Sequence, residues 1–143
     1  MSYENGKNLM QLIRDIHNYE EKLVVSLSEN QLKLNEIILI DSLYKLIEDK
    51  QNTTTQLAKS LSMSPSGISN LLNKLDKKGY IKRVHDELDR RKVFVFPIGN
   101  AAKIKNDFNE FYKKISLELE SDFNSEALVT CNNVLKSIES YTK

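Results

Sequence analysis

The 143-residue chain is poor in the residues that mark several protein classes. A single Cys cannot form an intramolecular disulfide and suits a reducing compartment. Four Gly and two Pro leave little room for the many turns of an all-β fold. No apolar run approaches the roughly 18 residues of a membrane span, and the first residues lack a signal-peptide pattern. We therefore expect a cytoplasmic, mainly helical protein.

Residues that support catalysis or metal binding are equally scarce. The two histidines, His17 and His85, are far apart in sequence, whereas a metal site needs clustered ligands. No phosphate-binding loop and no nucleophile with a matching base is recognisable. We expect no enzyme activity, cofactor or metal. Cys131 lies on the apolar stripe of a predicted helix, where we expect a small buried hydrophobe, although a sensing role for Cys131 or His17 stays open.

The net charge of +1 hides an uneven distribution. Residues 74–92 carry eight Lys or Arg and four Asp or Glu, a local charge of +4, so the rest of the chain is mildly acidic at −3. A basic segment in an otherwise acidic chain indicates a surface that binds anions.

Hydrophobic periodicity predicts four helices in the first half of the chain. The first is amphipathic and runs from Leu9 to Leu27, and the second, apolar on almost all sides, has Asn35 as its N-cap. Thr53 and Gln56 form a capping-box pattern that opens a short third helix. Ser64-Pro65 opens the fourth, which ends in a basic turn before a glycine at residues 78–79.

The pattern changes after that glycine. Residues 80–84 and 92–96 are rich in β-formers and flank a polar segment, so they predict a β-hairpin. Two long amphipathic helices follow it. They carry apolar stripes at helical spacing from Ile104 to Leu119 and from Ala127 to Tyr141.

The third and fourth helices, joined at residues 62–64, predict a helix-turn-helix with Leu57, Leu61, Met63, Ile68 and Leu71 in its core. With that face buried, the other face of the fourth helix points outward. Short donors and acceptors in the N-terminal half of such a helix suit base edges and phosphates in a DNA major groove. These outward residues are Ser64, Ser66, Ser69, Asn70, Asn73 and Lys74. The alternative interpretation is an ordinary solvated surface helix.

The hairpin tip offers the second candidate contact. Arg90 and Arg91 follow Asp89, and a neighbouring carboxylate can hold a guanidinium in a fixed orientation. Such an arm suits the minor groove, whose negative potential attracts Arg. Arg83 on the first strand adds positive charge. The alternative is that these charges only keep an exposed hairpin soluble.

These motifs resemble the winged helix-turn-helix of MarR-family transcriptional regulators. The marks are QLA in the third helix, SxxxISNLLNKLDKKGYIKR in the fourth helix and first strand, and DxxDRR before the second strand. The similarity covers about residues 34–98. It places Asp89 and Arg91 on the wing pair and the outward residues of the fourth helix on the recognition helix.

The resemblance implies a mainly α fold in which a winged helix-turn-helix (residues 34–98) is flanked by dimerisation helices (residues 1–33 and 99–143). It implies a homodimer that binds pseudo-palindromic operators in double-stranded DNA, usually as a repressor. It also implies that a small-molecule effector or an oxidant releases this dimer from the DNA. The apolar stripes of the flanking helices also favour a dimer, since a winged core of about 65 residues cannot cover them.

The chain departs from the family pattern at three places. Ser62 stands where a turn glycine is usual, so we expect it to adopt a backbone conformation that is less favourable for a residue with a side chain. Leu88 interrupts an Asp-x-Arg mark, which predicts one salt bridge fewer in the wing. Pro97, Ile98 and Ala101 replace the usual junction after the wing, where Asn100 can cap the next helix instead.

A second class of function stays open. Winged helices also serve as protein-interaction modules when their recognition face is not basic. The lysines and arginines of residues 74–91 favour DNA.

Overall fold

The computed structural model describes residues 2–29 and 31–141, which form six α-helices and one β-hairpin. This confirms the predicted fold class, mainly α with a small wing. The elements in chain order are α1 (Ser2–Val25), a short 3-10 helix (Ser26–Ser28), α2 (Leu34–Glu48), α3 (Thr54–Ser60), α4 (Pro65–Lys77), β1 (Ile81–His85), β2 (Val93–Pro97), α5 (Ala101–Asp122) and α6 (Ser125–Tyr141).

The chain divides into two compact units, residues 1–108 and residues 109–143, and the division falls within α5. The first unit contains α1 to β2, including the helix-turn-helix and the wing. The second contains the C-terminal part of α5 and all of α6. The assignment of residues 1–33 and 99–143 to dimerisation stays a prediction.

Helix α2 is the centre of the first unit, as its apolar sequence predicts. Its side chains at Ile37, Leu39, Ile40 and Leu43 are fully buried. The predicted N-cap was wrong. The helix begins at Leu34, one residue before Asn35, because the carboxylate of the third helical residue accepts a hydrogen bond from the backbone N–H of the residue before the helix. Burial raises the pKa of the α2 phenol, Tyr44.

The turn between α3 and α4 depends on a residue in the left-handed region. Ser62 has φ 52°, which confirms the strained backbone expected where the family pattern has glycine. The N–H of Met63 then donates to the carbonyl of Ala58 over 2.9 Å, and α4 starts two residues later. Of the predicted core of this motif, Leu57, Ile68 and Leu71 are buried, and Leu61 and Met63 are half-buried.

The hairpin lies within one residue of its predicted position. Strands β1 and β2 are antiparallel, and Ile81 pairs with Pro97 and His85 with Val93. Two hydrogen bonds that the sequence did not predict anchor the hairpin. The Asn52 side chain is buried and donates to the carbonyl of Val95 over 2.8 Å, and the Val95 N–H donates back to the Asn52 carbonyl, also over 2.8 Å. The segment before α3 therefore holds β2 in place.

The junction after the wing uses a close backbone approach. Gly99 has φ 58°, and a Cβ added there would lie 2.6 Å from the carbonyl oxygen of Gly79. The N–H of Ile98 donates to the carbonyl of Tyr80, which ties the two turns together. Helix α5 then begins directly after Asn100, whose carbonyl accepts from the N–H of Ile104.

The terminal helices expose much of their apolar surface in the single chain. On α1, Leu12, Ile16 and Tyr19 have exposed fractions of 54%, 59% and 65%. The second unit has the same character, because α6 contains no buried residue. The expectation that Cys131 is buried was therefore wrong for the single chain, where its thiol is exposed.

Candidate nucleic-acid interface

The start of α4 is built by its first residues. Ser64 is the N-cap, and its hydroxyl oxygen accepts a hydrogen bond from the N–H of Gly67 over 3.1 Å. Pro65 occupies the first helical position, where its missing N–H costs nothing. The hydroxyls of Ser64 and Ser66 lie 3.3 Å apart. Ser64 thus fixes where the helix begins, and its capping oxygen is already in use.

The outward face of α4 agrees with the sequence prediction. Ile68, Leu71, Leu72 and Leu75 are buried on one side. All of the predicted contact residues on the other side are exposed, and four of them make no side-chain hydrogen bond or ion pair to any described residue. Their donors and acceptors are therefore free to bind a partner. These four are Ser69, Asn70, Asn73 and Lys74.

The wing tip holds the predicted carboxylate–guanidinium pair. Arg91 Nε lies 3.2 Å from Asp89 Oδ1, which also accepts from the backbone N–H of Arg91 over 3.1 Å. The Arg91 side chain is 93% exposed, so it projects into solvent. Arg90 is exposed and forms no ion pair with any described carboxylate. The salt bridge that the sequence predicts to be lost is the one that Leu88 cannot form with Asp86. Asp86 instead accepts from the N–H of Leu88.

Arg83 is held against the recognition helix. Its Nη2 and Nε donate to Asp76 Oδ2 over 2.8 and 3.2 Å. This pair links β1 to α4 and leaves Nη1 of the guanidinium for another acceptor. The sequence prediction included Arg83 and missed Asp76. The spacing of seven residues across the glycine turn at residue 79 was the available signal.

An open groove of about 970 Å³ lies between the helix-turn-helix and the wing. Ser69 of α4 and Arg83 of β1 line it, together with Thr54, Thr55 and Lys59 of α3 and His85 of β1. Polar and basic groups from three elements thus meet along one surface. Sequence reasoning placed none of the α3 residues here. Two adjacent threonines at the start of a helix-turn-helix were a usable signal, since hydroxyls and free N–H groups there suit phosphate.

The far end of α4 is anchored by a charge pair. Glu36 of α2 is buried, and both of its carboxylate oxygens accept from Lys78 Nζ over 2.9 Å. Lys78 Nζ also donates to the carbonyl of Gln31 over 2.9 Å. The hydroxyl of Tyr80 lies 3.3 Å from the Gln31 side-chain oxygen. The recognition helix is therefore tied to the segment that joins α1 and α2.

Among residues 2–29 and 31–141, no group of three His, Cys, Asp or Glu side chains is arranged to hold a metal ion. Across the same residues, no helix is long and apolar enough to cross a membrane. His17 is exposed on α1 and lines a small cleft of about 270 Å³ with Glu21 and with residues at the start of α2.

Comparison with known proteins shows which family and which proteins the chain resembles. Residues 39–93 match the MarR family model. Among curated proteins, the HTH-type transcriptional regulator YfiV of Bacillus subtilis is 39% identical over 66 residues, which are 46% of this chain and 39% of YfiV. The regulator YcgE of the same organism is 28% identical over 76 residues, 53% of this chain and 49% of YcgE. The matches thus span half or less of the relatives' length.

Solved structures share the fold over nearly the whole chain. FabT of Streptococcus pneumoniae in complex with DNA has a TM-score of 0.80 at 21% identity, covering 99% of this chain and 97% of that one. MepR of Staphylococcus aureus bound to DNA has a TM-score of 0.79 at 22% identity, covering 92% and 96%. A MarR mutant of E. coli with operator DNA has a TM-score of 0.72 at 21% identity, covering 92% and 93%. Residues 39–93, which form the helix-turn-helix and most of the wing, are thus similar to the MarR family.

Proposed function

We propose that the chain is a sequence-specific DNA-binding transcription regulator that acts in the cytoplasm as a homodimer on pseudo-palindromic operators. The observation that carries the proposal is the outward face of α4. The exposed side chains of Ser69, Asn70, Asn73 and Lys74 have no partner among the described residues, and they stand beside a wing whose Arg91 projects into solvent. A regulator needs such groups in two roles, because base contacts give specificity and phosphate contacts give affinity.

The recognition helix supplies the specificity. Asn70 and Asn73 are exposed on α4, and an Asn amide can pair with the donor and acceptor edge of adenine. Arg91, and the free Nη1 of Arg83, supply phosphate or minor-groove contacts. The DNA complexes of FabT and MepR, which share the fold, support this assignment.

The dimer is supported by the apolar surface of the terminal helices. Leu117 on α5, Phe123 directly after it and Leu135 on α6 are 60%, 55% and 48% exposed, in addition to the apolar stripe of α1. Soluble proteins seldom leave so many large apolar side chains uncovered, so a second copy is the simplest cover. Light scattering at micromolar concentration should give twice the mass of 16.5 kDa. A stable monomer would refute this part of the proposal.

Repression and release by a small-molecule effector complete the proposal, and both follow the family resemblance. The cleft beside His17 is the site we propose for the effector, since it combines a volume near the lower end of small-molecule pockets with His17, Glu21 and Lys33 as polar contacts. A promoter reporter should show higher expression when the gene for this chain is deleted. Lower expression on deletion would indicate an activator instead.

The direct test is a mobility-shift assay on genomic DNA fragments, followed by titration of the selected operator. Asn70→Ala and Asn73→Ala should each weaken operator binding by about 1–3 kcal/mol and leave binding to random DNA almost unchanged. Asn106→Ala, an exposed asparagine on α5, is the matched control and should change neither. Equal losses on both DNAs would mean that these asparagines contact only the backbone.

If no fragment is shifted, the proposal fails and a protein-interaction role for the winged helix becomes the better explanation.

A further inference from the structure

His85 is the last residue of β1 and is exposed at the base of the wing loop. Its ring nitrogen Nδ1 lies 3.0 Å from the backbone carbonyl oxygen of Arg90. This contact closes the loop that carries the arginine tip. Neither the family match nor the function proposed above assigns His85 a role.

The contact with Arg90 determines which nitrogen carries the proton. A carbonyl oxygen can only accept a hydrogen bond, so Nδ1 must be the donor. In a neutral imidazole the other nitrogen, Nε2, then has a lone pair and no hydrogen. Nε2 has no hydrogen-bond partner among the described residues. A neutral His85 can therefore not donate to a phosphate oxygen, whereas a protonated one offers Nε2–H and a positive charge.

His85 lies where a phosphate would pass. It lines the same groove as Arg83, two residues earlier on the strand, and Ser69 of α4. Alternate residues of a strand share one face, so His85 and Arg83 point to the same side of the hairpin. The hydroxyl of Ser69, the free Nη1 of Arg83 and the imidazole of His85 can thus serve one stretch of sugar–phosphate backbone.

The charges around the ring are mixed. Asp76 on α4 is paired with Arg83. β2 contributes only the apolar Val93 opposite. The charged residues that line a groove or cleft together with His85 are Lys59 of α3, Asp76 of α4, Arg83 of β1 itself, and Asp86, Glu87 and Arg90 of the wing loop. A bound phosphate adds negative charge to this set and favours the imidazolium.

We propose that His85 is a phosphate-contacting residue, and that DNA binding is coupled to the uptake of one proton from solvent by Nε2 in each wing. The inference rests on the proposed DNA binding. Because the protonated form binds DNA more tightly, thermodynamic linkage requires that the affinity for DNA falls as pH rises through the range in which histidine loses its proton. The limiting slope is a tenfold loss of affinity per pH unit for each wing, hence up to a hundredfold for a dimer.

The chain suits a clean test because it has two histidines. The probe is a fluorescein-labelled random-sequence duplex of 30 base pairs, titrated from pH 5.5 to 8.0 at constant ionic strength. A random duplex isolates phosphate contacts from base recognition. Circular dichroism at each pH checks that every protein stays folded.

Two variants of His85 separate its functions. His85→Asn retains a side-chain donor for the Arg90 carbonyl and lacks Nε2, and His85→Gln retains a longer donor that does not titrate. Both should bind with an affinity that hardly changes with pH. His17→Gln, the matched control, should keep the wild-type pH dependence.

Four results would overturn the inference. Wild-type binding that does not change with pH would show that no proton is taken up. A pH dependence that survives in both His85 variants would assign the proton to another group, and one that disappears in His17→Gln would assign it to α1. Failure of the wild type to bind this random duplex at any pH would also overturn the inference, whereas the proposed function fails only if no genomic fragment is shifted, which distinguishes the two failures.

Discussion

The ion pair between Lys78 and Glu36 allows a quantitative test of how the recognition helix is held. The Glu36 side chain is 1% exposed and that of Lys78 is 37% exposed. Among the described residues, the only other donor to this carboxylate is the backbone N–H of Lys33, over 3.1 Å. Removing the ammonium would therefore leave a buried carboxylate with a single donor.

The magnitude follows from this asymmetry. Breaking a buried pair by removing one partner costs about 3–5 kcal/mol, because the remaining charge has no compensation. Lys78 is partly exposed, so water can enter and hydrate Glu36. We therefore expect Lys78→Met to lower the free energy of unfolding by about 2–3 kcal/mol. Glu36→Gln should cost only about 1 kcal/mol, because the Lys78 ammonium can turn toward solvent.

Urea unfolding of the single variants and of the Glu36→Gln/Lys78→Met double variant measures these values. The double variant should be more stable than Lys78→Met alone, since no buried charge remains. The pair of Lys45 and Asp41, with a distance of 3.0 Å and a Lys45 side chain that is 75% exposed, is the control, and Lys45→Met should cost no more than about 0.5 kcal/mol. If Lys78→Met costs as little as Lys45→Met, the anchor is an ordinary surface pair and the reasoning is refuted.

Three further substitutions test the backbone and the wing. Ser62→Gly should raise the free energy of unfolding by up to about 1 kcal/mol, because glycine adopts the left-handed backbone of this turn without strain. A lower free energy of unfolding would mean that the Ser62 side chain stabilises the fold. Gly99→Ala should lower the free energy of unfolding by more than about 2 kcal/mol and Gly79→Ala by about 1 kcal/mol. Both residues have a positive φ, but only the Cβ at residue 99 would also lie 2.6 Å from a backbone oxygen, and equal costs in thermal unfolding would contradict this. Asp89→Ala should weaken DNA binding about two- to fivefold at fixed salt although the protein becomes more positive; tighter binding would show that Asp89 does not orient Arg91.

Local signals account for most of the fold that could be predicted. Serine followed by proline, and lysine followed by glycine, mark both ends of α4, and the change from helical to alternating periodicity locates the hairpin within one residue. The outward face of α4 followed directly from the buried positions on its other side. These features depend on residues close together in sequence.

What could not be predicted depends on contacts between distant residues. The buried Asn52 meets Val95 across 43 positions, and Lys78 meets Glu36 across 42. In sequence, each of these polar residues is indistinguishable from a solvated one, because only the tertiary fold brings its partner into reach. The same holds for the start of α2, where Lys33 is the N-cap and its backbone N–H donates to the carboxylate of the buried Glu36.

In the candidate site, too, contacts between neighbouring residues could be predicted and contacts between distant residues could not. Asp89 and Arg91 are two positions apart, and their pairing could be predicted. Arg83 with Asp76, and His85 with the Arg90 carbonyl, needed the structure, because a glycine turn and a loop lie between the partners. Both of these contacts leave a second nitrogen of the same side chain without a partner among the described residues, and both side chains line one groove. A group that is fixed at one atom and free at another loses little conformational entropy when it binds, which is why Arg83 and His85 should make ordered phosphate contacts along the groove.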